Sequence, residues 1–173
     1  TPIVAPQAST IPSGTIPGVT VEITSDGLQI PAAIPSGLVM VTYKNSRDAP
    51  TFPRVGWLKE GRTVAEFEEA LLADDLLTVM EMTITPGAAD LAPGEEKETI
   101  ITLPAGEILL INIPGDGNSP QILPVTTTAS TTEVAAPVAA FTAELSDFAF
   151  AMPDEIPAGA NLWEIRNTGQ QWH

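Results

Sequence analysis

Residues 31–45, PAAIPSGLVMVTYKN, return as residues 153–167, PDEIPAGANLWEIRN, at a constant offset of 122. Pro31, Ile34, Pro35, Gly37 and Asn45 recur as Pro153, Ile156, Pro157, Gly159 and Asn167 without a gap. In both blocks a Pro- and Gly-punctuated turn feeds a run of apolar and β-branched residues, the signature of a turn followed by a strand. A domain's length of chain follows the first block, whereas the second runs only to His173. The expectation is one whole module and the opening of another.

Working outward from the first block, Val19, Val21 and Ile23 alternate with Thr20, Glu22 and Thr24, which predicts a half-buried strand over residues 19–30. GLVMVTY (37–43) predicts a more deeply buried strand. Further strands are expected at 52–58, 80–85, 98–103, 107–113 and 122–126. The one helical candidate lies within residues 63–80, and is clearest over 63–73. There Thr63 and Glu66 have capping-box spacing, and Val64, Phe67, Leu71 and Leu72 fall near one face. Residues 1–18 (TPIVAPQASTIPSGTIPG) and 127–138 (TTASTTEVAAPV) read as an extended arm and a linker. Between them, residues 19–126 form the first module, and 139–173 begin the second, with strands near 141–151 and 160–166. Many short strands with Gly/Pro turns read as an all-β, Greek-key β-sandwich with one inserted helix, plus the opening strands of a second copy.

Composition narrows the function. The chain has 22 acidic and 7 basic residues, a net charge of −15, which repels nucleic-acid backbones and anionic bilayers. It has no cysteine, so disulfides, thiol nucleophiles and thiolate-bound metals are excluded within these residues. No apolar run reaches the roughly 18 residues that a spanning helix needs, so no membrane insertion is expected within it.

The stretch LSDFAFAMPDEIPAGANLWEIRNTGQQWH resembles the start of cupredoxin-like domains of the plastocyanin/azurin type. In them a strand ends in Pro, an Ile-Pro-Ala-Gly turn follows, and the next strand runs into Asn-x-Gly. Here that tripeptide is Asn167-Thr168-Gly169, and His173 stands where the first copper ligand falls. The resemblance covers about 30 residues of the second copy and, more weakly, all of the first. It implies secreted or surface-exposed bacterial proteins, sometimes with tandem domains. Its electron-transfer chemistry needs two His, a Cys thiolate and usually an axial Met around copper. Carried onto the first copy, the position matching His173 is Thr51. The Cys position follows strand 107–113, at Ile111 and Asn112, and the second His position lies near Gln121. The resemblance therefore implies the fold without its copper site.

Bland alternatives account for most of the other polar residues. His173 is the only histidine and the one candidate metal ligand, to be completed by donors from elsewhere. Met40, Met80, Met82 and Met152 read as core fillers rather than thioether ligands. The acidic pairs Glu68-Glu69, Asp74-Asp75 and Glu95-Glu96 read as solvated, and Asp116 and Asn118 as turn formers. Trp57 and Trp172 read as exposed. Three strands of a sandwich cannot hide their apolar face alone. This makes Phe141, Phe148, Phe150, Trp163 and Trp172 the expected interaction residues.

The sequence predicts a non-catalytic, extracytoplasmic structural or interaction protein without a cofactor. It would assemble with itself, as an oligomer or filament, by strand complementation of the second module. The alternative is an electron-transfer copper protein whose metal site lies beyond residue 173.

Overall fold

The computed structural model describes residues 16–130, 134–135, 138–156, 158 and 161–170. The chain divides into two compact units, one spanning Ile16–Val134 and a smaller one that holds the residues from Ala135 onward.

In the larger unit the order is β1 (Gly18–Thr24), β2 (Gly27–Gln29), β3 (Gly37–Asn45), β4 (Thr51–Leu58), α1 (Val64–Leu72), α2 (Leu76–Met82), β5 (Thr83–Ala88), β6 (Glu96–Leu103), β7 (Glu107–Pro114) and β8 (Gln121–Thr126). The strands form two four-stranded sheets, ordered β2-β1-β3-β6 and β5-β4-β7-β8. β1 runs parallel to β3, and every other pair within these sheets is antiparallel. The inward residues of both sheets, including Val21, Val41, Tyr43 and Ile101 from one and Val55, Ile108 and Leu110 from the other, close a single core. The larger unit is therefore a β-sandwich with crossing connections, and the chain is of the all-β class.

β7 explains its own apolar run. Ile108 and Leu110 face the inter-sheet core, while Leu109 and Ile111 face the opposite side, where Phe67 and Leu71 of α1 cover them. A strand buried on both faces loses the alternation of a half-solvated one. α1 starts where the capping box predicted. Thr63 Oγ1 accepts from the Glu66 N–H, and Glu66 Oε2 accepts from the Thr63 N–H at 2.9 Å. It stops at Asp74, whose φ of 56° is left-handed.

Three expectations need correction. There are two helices rather than one inserted helix, because Asp75 caps a second one by accepting from the Thr78 N–H. Met80–Met82 belongs to that helix, so the predicted strand begins at Thr83; MEM satisfies either period, and the cap decides. The strand expected over 19–30 is a hairpin, broken where Gly27 takes φ 126°.

β4 and β5 shift register between Val55 and Trp57. At this bulge a Cβ on Gly56 would stand 2.6 Å from the Ile84 carbonyl oxygen, so only glycine permits the approach. Trp57, expected to be exposed, is half-buried there.

The smaller unit contains β9 (Phe141–Ser146), β10 (Ala149–Ala151) and β11 (Trp163–Asn167), ordered β10-β9-β11. Its pairing repeats β2-β1-β3 partner for partner at the offset of 122. Glu22↔Gln29 and Ile23↔Leu28 return as Glu144↔Ala151 and Leu145↔Phe150. Val19↔Val41 and Ile23↔Asn45 return as Phe141↔Trp163 and Leu145↔Asn167. Even the closing bond recurs: Ser46 N–H to Ile23 O at 2.8 Å becomes Thr168 N–H to Leu145 O at 2.7 Å.

Candidate functional site

β4, β7 and β8 bring three polar side chains to one end of the sandwich interior. Thr51 opens β4, Asn112 lies near the end of β7, and Gln121 opens β8 as the direct register partner of Asn112. All three point inward, sharing a face with Val55, Leu110 and Leu123 respectively. Thr51 and Asn112 are fully buried. Thr51 Oγ1 donates to Asn112 Oδ1, and Asn112 Nδ2 donates to Gln121 Oε1 at 3.2 Å. These are the positions that the resemblance assigned to a first His, a region of the Cys, and a second His.

The donor set does not fit a copper centre of that type. A hydroxyl and two carboxamides offer neither imidazole nor thiolate, and all three groups spend polar atoms on one another. Among the described residues no cluster of three His, Cys, Asp or Glu could hold a metal ion. His173, the metal candidate, lies outside the described residues.

A second polar layer encloses this end. Asn45, buried at the close of β3, lies with Nδ2 3.0 Å from the carbonyls of Ala49 and Ala92, and its Oδ1 accepts from the Arg47 N–H. Leu91 links the two layers: its carbonyl accepts from the Thr51 N–H at 3.0 Å and stands 3.3 Å from Asn45 Nδ2. Arg47 reaches the turn between β7 and β8 and pairs with Asp116. The Asn118 N–H and the Arg47 guanidinium hold the Asp116 carboxyl below its ordinary range. Chemically this is a closed network in which buried dipoles satisfy one another.

Sequence reasoning located Thr51, Asn112 and Gln121 one at a time but did not foresee their contact. It missed the Arg47–Asp116 pair. Asn45 carried one signal: it returns as Asn167, whose Oδ1 accepts from the Gly169 N–H at 2.9 Å as that of Asn45 accepts from Arg47.

The expected interaction residues lie in the smaller unit. Phe141 is buried with its ring centroid 5.0 Å from that of Trp163, which is half-buried. Phe148 and Phe150 are exposed, and Phe148 sits at φ 63°, a left-handed conformation costly for a bulky residue. Trp172 lies outside the described residues. Met80 and Met152, expected in the core, are exposed.

No protein-family model matches the chain, and no curated protein matches its sequence. Among solved structures, the chain is similar to a dithionite-reduced auracyanin from the photosynthetic bacterium Roseiflexus castenholzii, with 16% identity and a TM-score of 0.40 over 68% of this chain and 99% of that one. It is also similar to a multicopper oxidase, with 13% identity and a TM-score of 0.32 over 86% of this chain and 55% of that one.

Proposed function

We propose that this chain is a copper-free, cupredoxin-like sandwich protein with a structural, non-catalytic role outside the cytoplasm, and that it assembles with itself through its second, partial module. The observation that carries the reading is the Thr51–Asn112–Gln121 network, in which uncharged groups bond to one another at the positions that the resemblance assigns to copper ligands. A protein that keeps the sandwich but closes its reactive end uses the fold as a building block.

The smaller unit supports the assembly half. It repeats the register of β2-β1-β3, yet several of its described apolar residues are exposed where their counterparts in the larger unit are covered. Tyr43 is 1% exposed and its counterpart Ile165 is 62% exposed. Ile34 is 1% exposed and its counterpart Ile156 is 48%. Phe150, aligned with half-buried Leu28, is also open. An apolar sheet face of this kind, with a strand edge beside it, is a template for another chain. Phe148, held in a strained conformation at a hairpin tip, fits a residue presented to a partner.

The test combines intact mass with light scattering and a copper titration. Particles built of several 18.1 kDa chains, broken to monomers by Ile165→Glu, support the reading, as does the absence of a visible charge-transfer band with copper. A dispersed monomer with its smaller unit fully folded defeats the assembly claim, and a charge-transfer band defeats the copper-free one.

A further inference from the structure

The larger unit carries its own docking surface, on the helical hairpin between β4 and β5. Among the described residues its exposed large hydrophobics are Leu72, Leu76, Leu77, Met80 and Ile84, all within one 13-residue stretch and 40–70% exposed. The rest of that unit buries or half-buries its large apolar side chains. The hairpin divides its faces: Phe67, Leu71 and Met82 turn to the protein, and Leu72, Leu76 and Leu77 turn away. Leu76 and Leu77 lie one helical turn before Met80, so they form one ridge.

The charge along the hairpin is mostly acidic. Residues 63–84 hold six carboxylates and no basic residue, with Lys59 and Arg62 just before α1. Glu68, Glu69, Asp74 and Glu81 are exposed on the hairpin itself. Such a rim excludes an anionic bilayer. It also disfavours a second copy, which offers the same acidic rim and only seven basic residues. Four of those seven, Lys44, Arg47, Lys97 and Arg166, are already paired with carboxylates.

We infer that the Leu72–Ile84 ridge docks a cationic amphipathic polypeptide, one that presents apolar side chains between lysines or arginines. The apolar ridge supplies burial, and the carboxylate rim supplies orientation and steering. This surface is distinct from the sheet face of the smaller unit and does not depend on self-assembly.

The experiment uses the full chain and fluorescence anisotropy with three labelled peptides: a Leu/Lys amphipathic helix, the same pattern in Leu/Glu, and a Lys/Gly peptide of equal charge. The expected result is binding of the Leu/Lys peptide alone, weakened by salt. Leu76→Ser with Leu77→Ser should weaken it at least about tenfold, as loss of two anchor side chains does at other interfaces. Both side chains are more than half exposed, so the variant keeps its fold, which an unchanged circular dichroism melt verifies. Glu68→Gln, Glu69→Gln and Glu81→Gln together should weaken binding while removing much of its salt dependence. Equal binding of the Lys/Gly peptide overturns the proposal in favour of charge alone. An unchanged affinity in the leucine variant overturns it outright, as does preferential capture of neutral lipid vesicles.

Discussion

Removing the Asn112 side chain tests the closed network most directly. Asn112→Ala leaves Thr51 Oγ1, which is fully buried, without its acceptor. An orphaned buried polar group of this kind costs about 1–3 kcal/mol. Gln121 is half-buried and reaches water, so losing its bond costs less, about 0.5–1 kcal/mol. The small cavity left in a close-packed end adds roughly 1 kcal/mol. The sum is about 2.5–5 kcal/mol, which lowers the melting temperature of a unit this size by roughly 10–20 °C. A double-mutant cycle sharpens the argument. Thr51→Val removes the stranded hydroxyl, so Thr51→Val with Asn112→Leu should cost at least about 1 kcal/mol less than the sum of the two singles. The assay is urea unfolding of each variant, followed by circular dichroism and by tryptophan fluorescence. A cost below about 1 kcal/mol for Asn112→Ala, or strict additivity in the cycle, would refute the view that these residues satisfy one another.

Other expectations follow from single contacts. Gly56→Ala places a Cβ 2.6 Å from the Ile84 carbonyl oxygen, so β4 and β5 must part at the bulge. The cost is at least about 2 kcal/mol, read as a drop in thermal midpoint. Tyr43, the only tyrosine, is buried and donates to the Gly87 carbonyl at 3.2 Å, and burial pushes its hydroxyl well above the usual 10.0. Its neutral form therefore stabilises the fold fully below that usual value and loses this contribution as pH rises. Ultraviolet titration should show no phenolate step before the unit unfolds, and a step near pH 10.0 in folded protein would contradict the burial. Glu66 is held below its ordinary 4.5 by the Thr63 hydroxyl and N–H. Its stabilising bonds are present above 4.5 and are lost as pH falls further, so Glu66→Gln should flatten the decline in urea midpoint on the acid side. Prolonged dialysis against a chelator should leave the melting curve unchanged, since Thr51, Asn112 and Gln121 hold one another; a clear drop would mean that a metal contributes to the fold.

The strands were legible because alternation is a local property. Val19, Val21 and Ile23 announce a strand whatever lies opposite. Element ends were less legible where two periods agree, as in MEMTIT, where Asp75 capping a helix outweighs an alternating pattern. The candidate site divided in the same way. The 122-residue repeat placed Thr51, but its contact with Asn112 depends on β4 lying beside β7 across 61 residues of chain. The Arg47–Asp116 pair spans 69 residues, and neither residue carries a pattern that names the other. The exposed leucines of α2 look like core residues in sequence, because amphipathic periodicity shows that a face is apolar and not what covers it.

The duplicated register has a consequence for folding. Residues 141–167 offer the same ladder as residues 19–45, so during synthesis both compete for one partner, the edge of β6 and the inner face of β4 and β7. Side-chain bulk decides the contest. Val19 and Val41 are 3% and 2% exposed, in slots sized for valine. Their counterparts Phe141 and Trp163 would overfill those slots, and overpacking a finished core costs about 1–3 kcal/mol per site. Bulk at these two positions thus disfavours the later strands in the place of the earlier ones, although both offer one register.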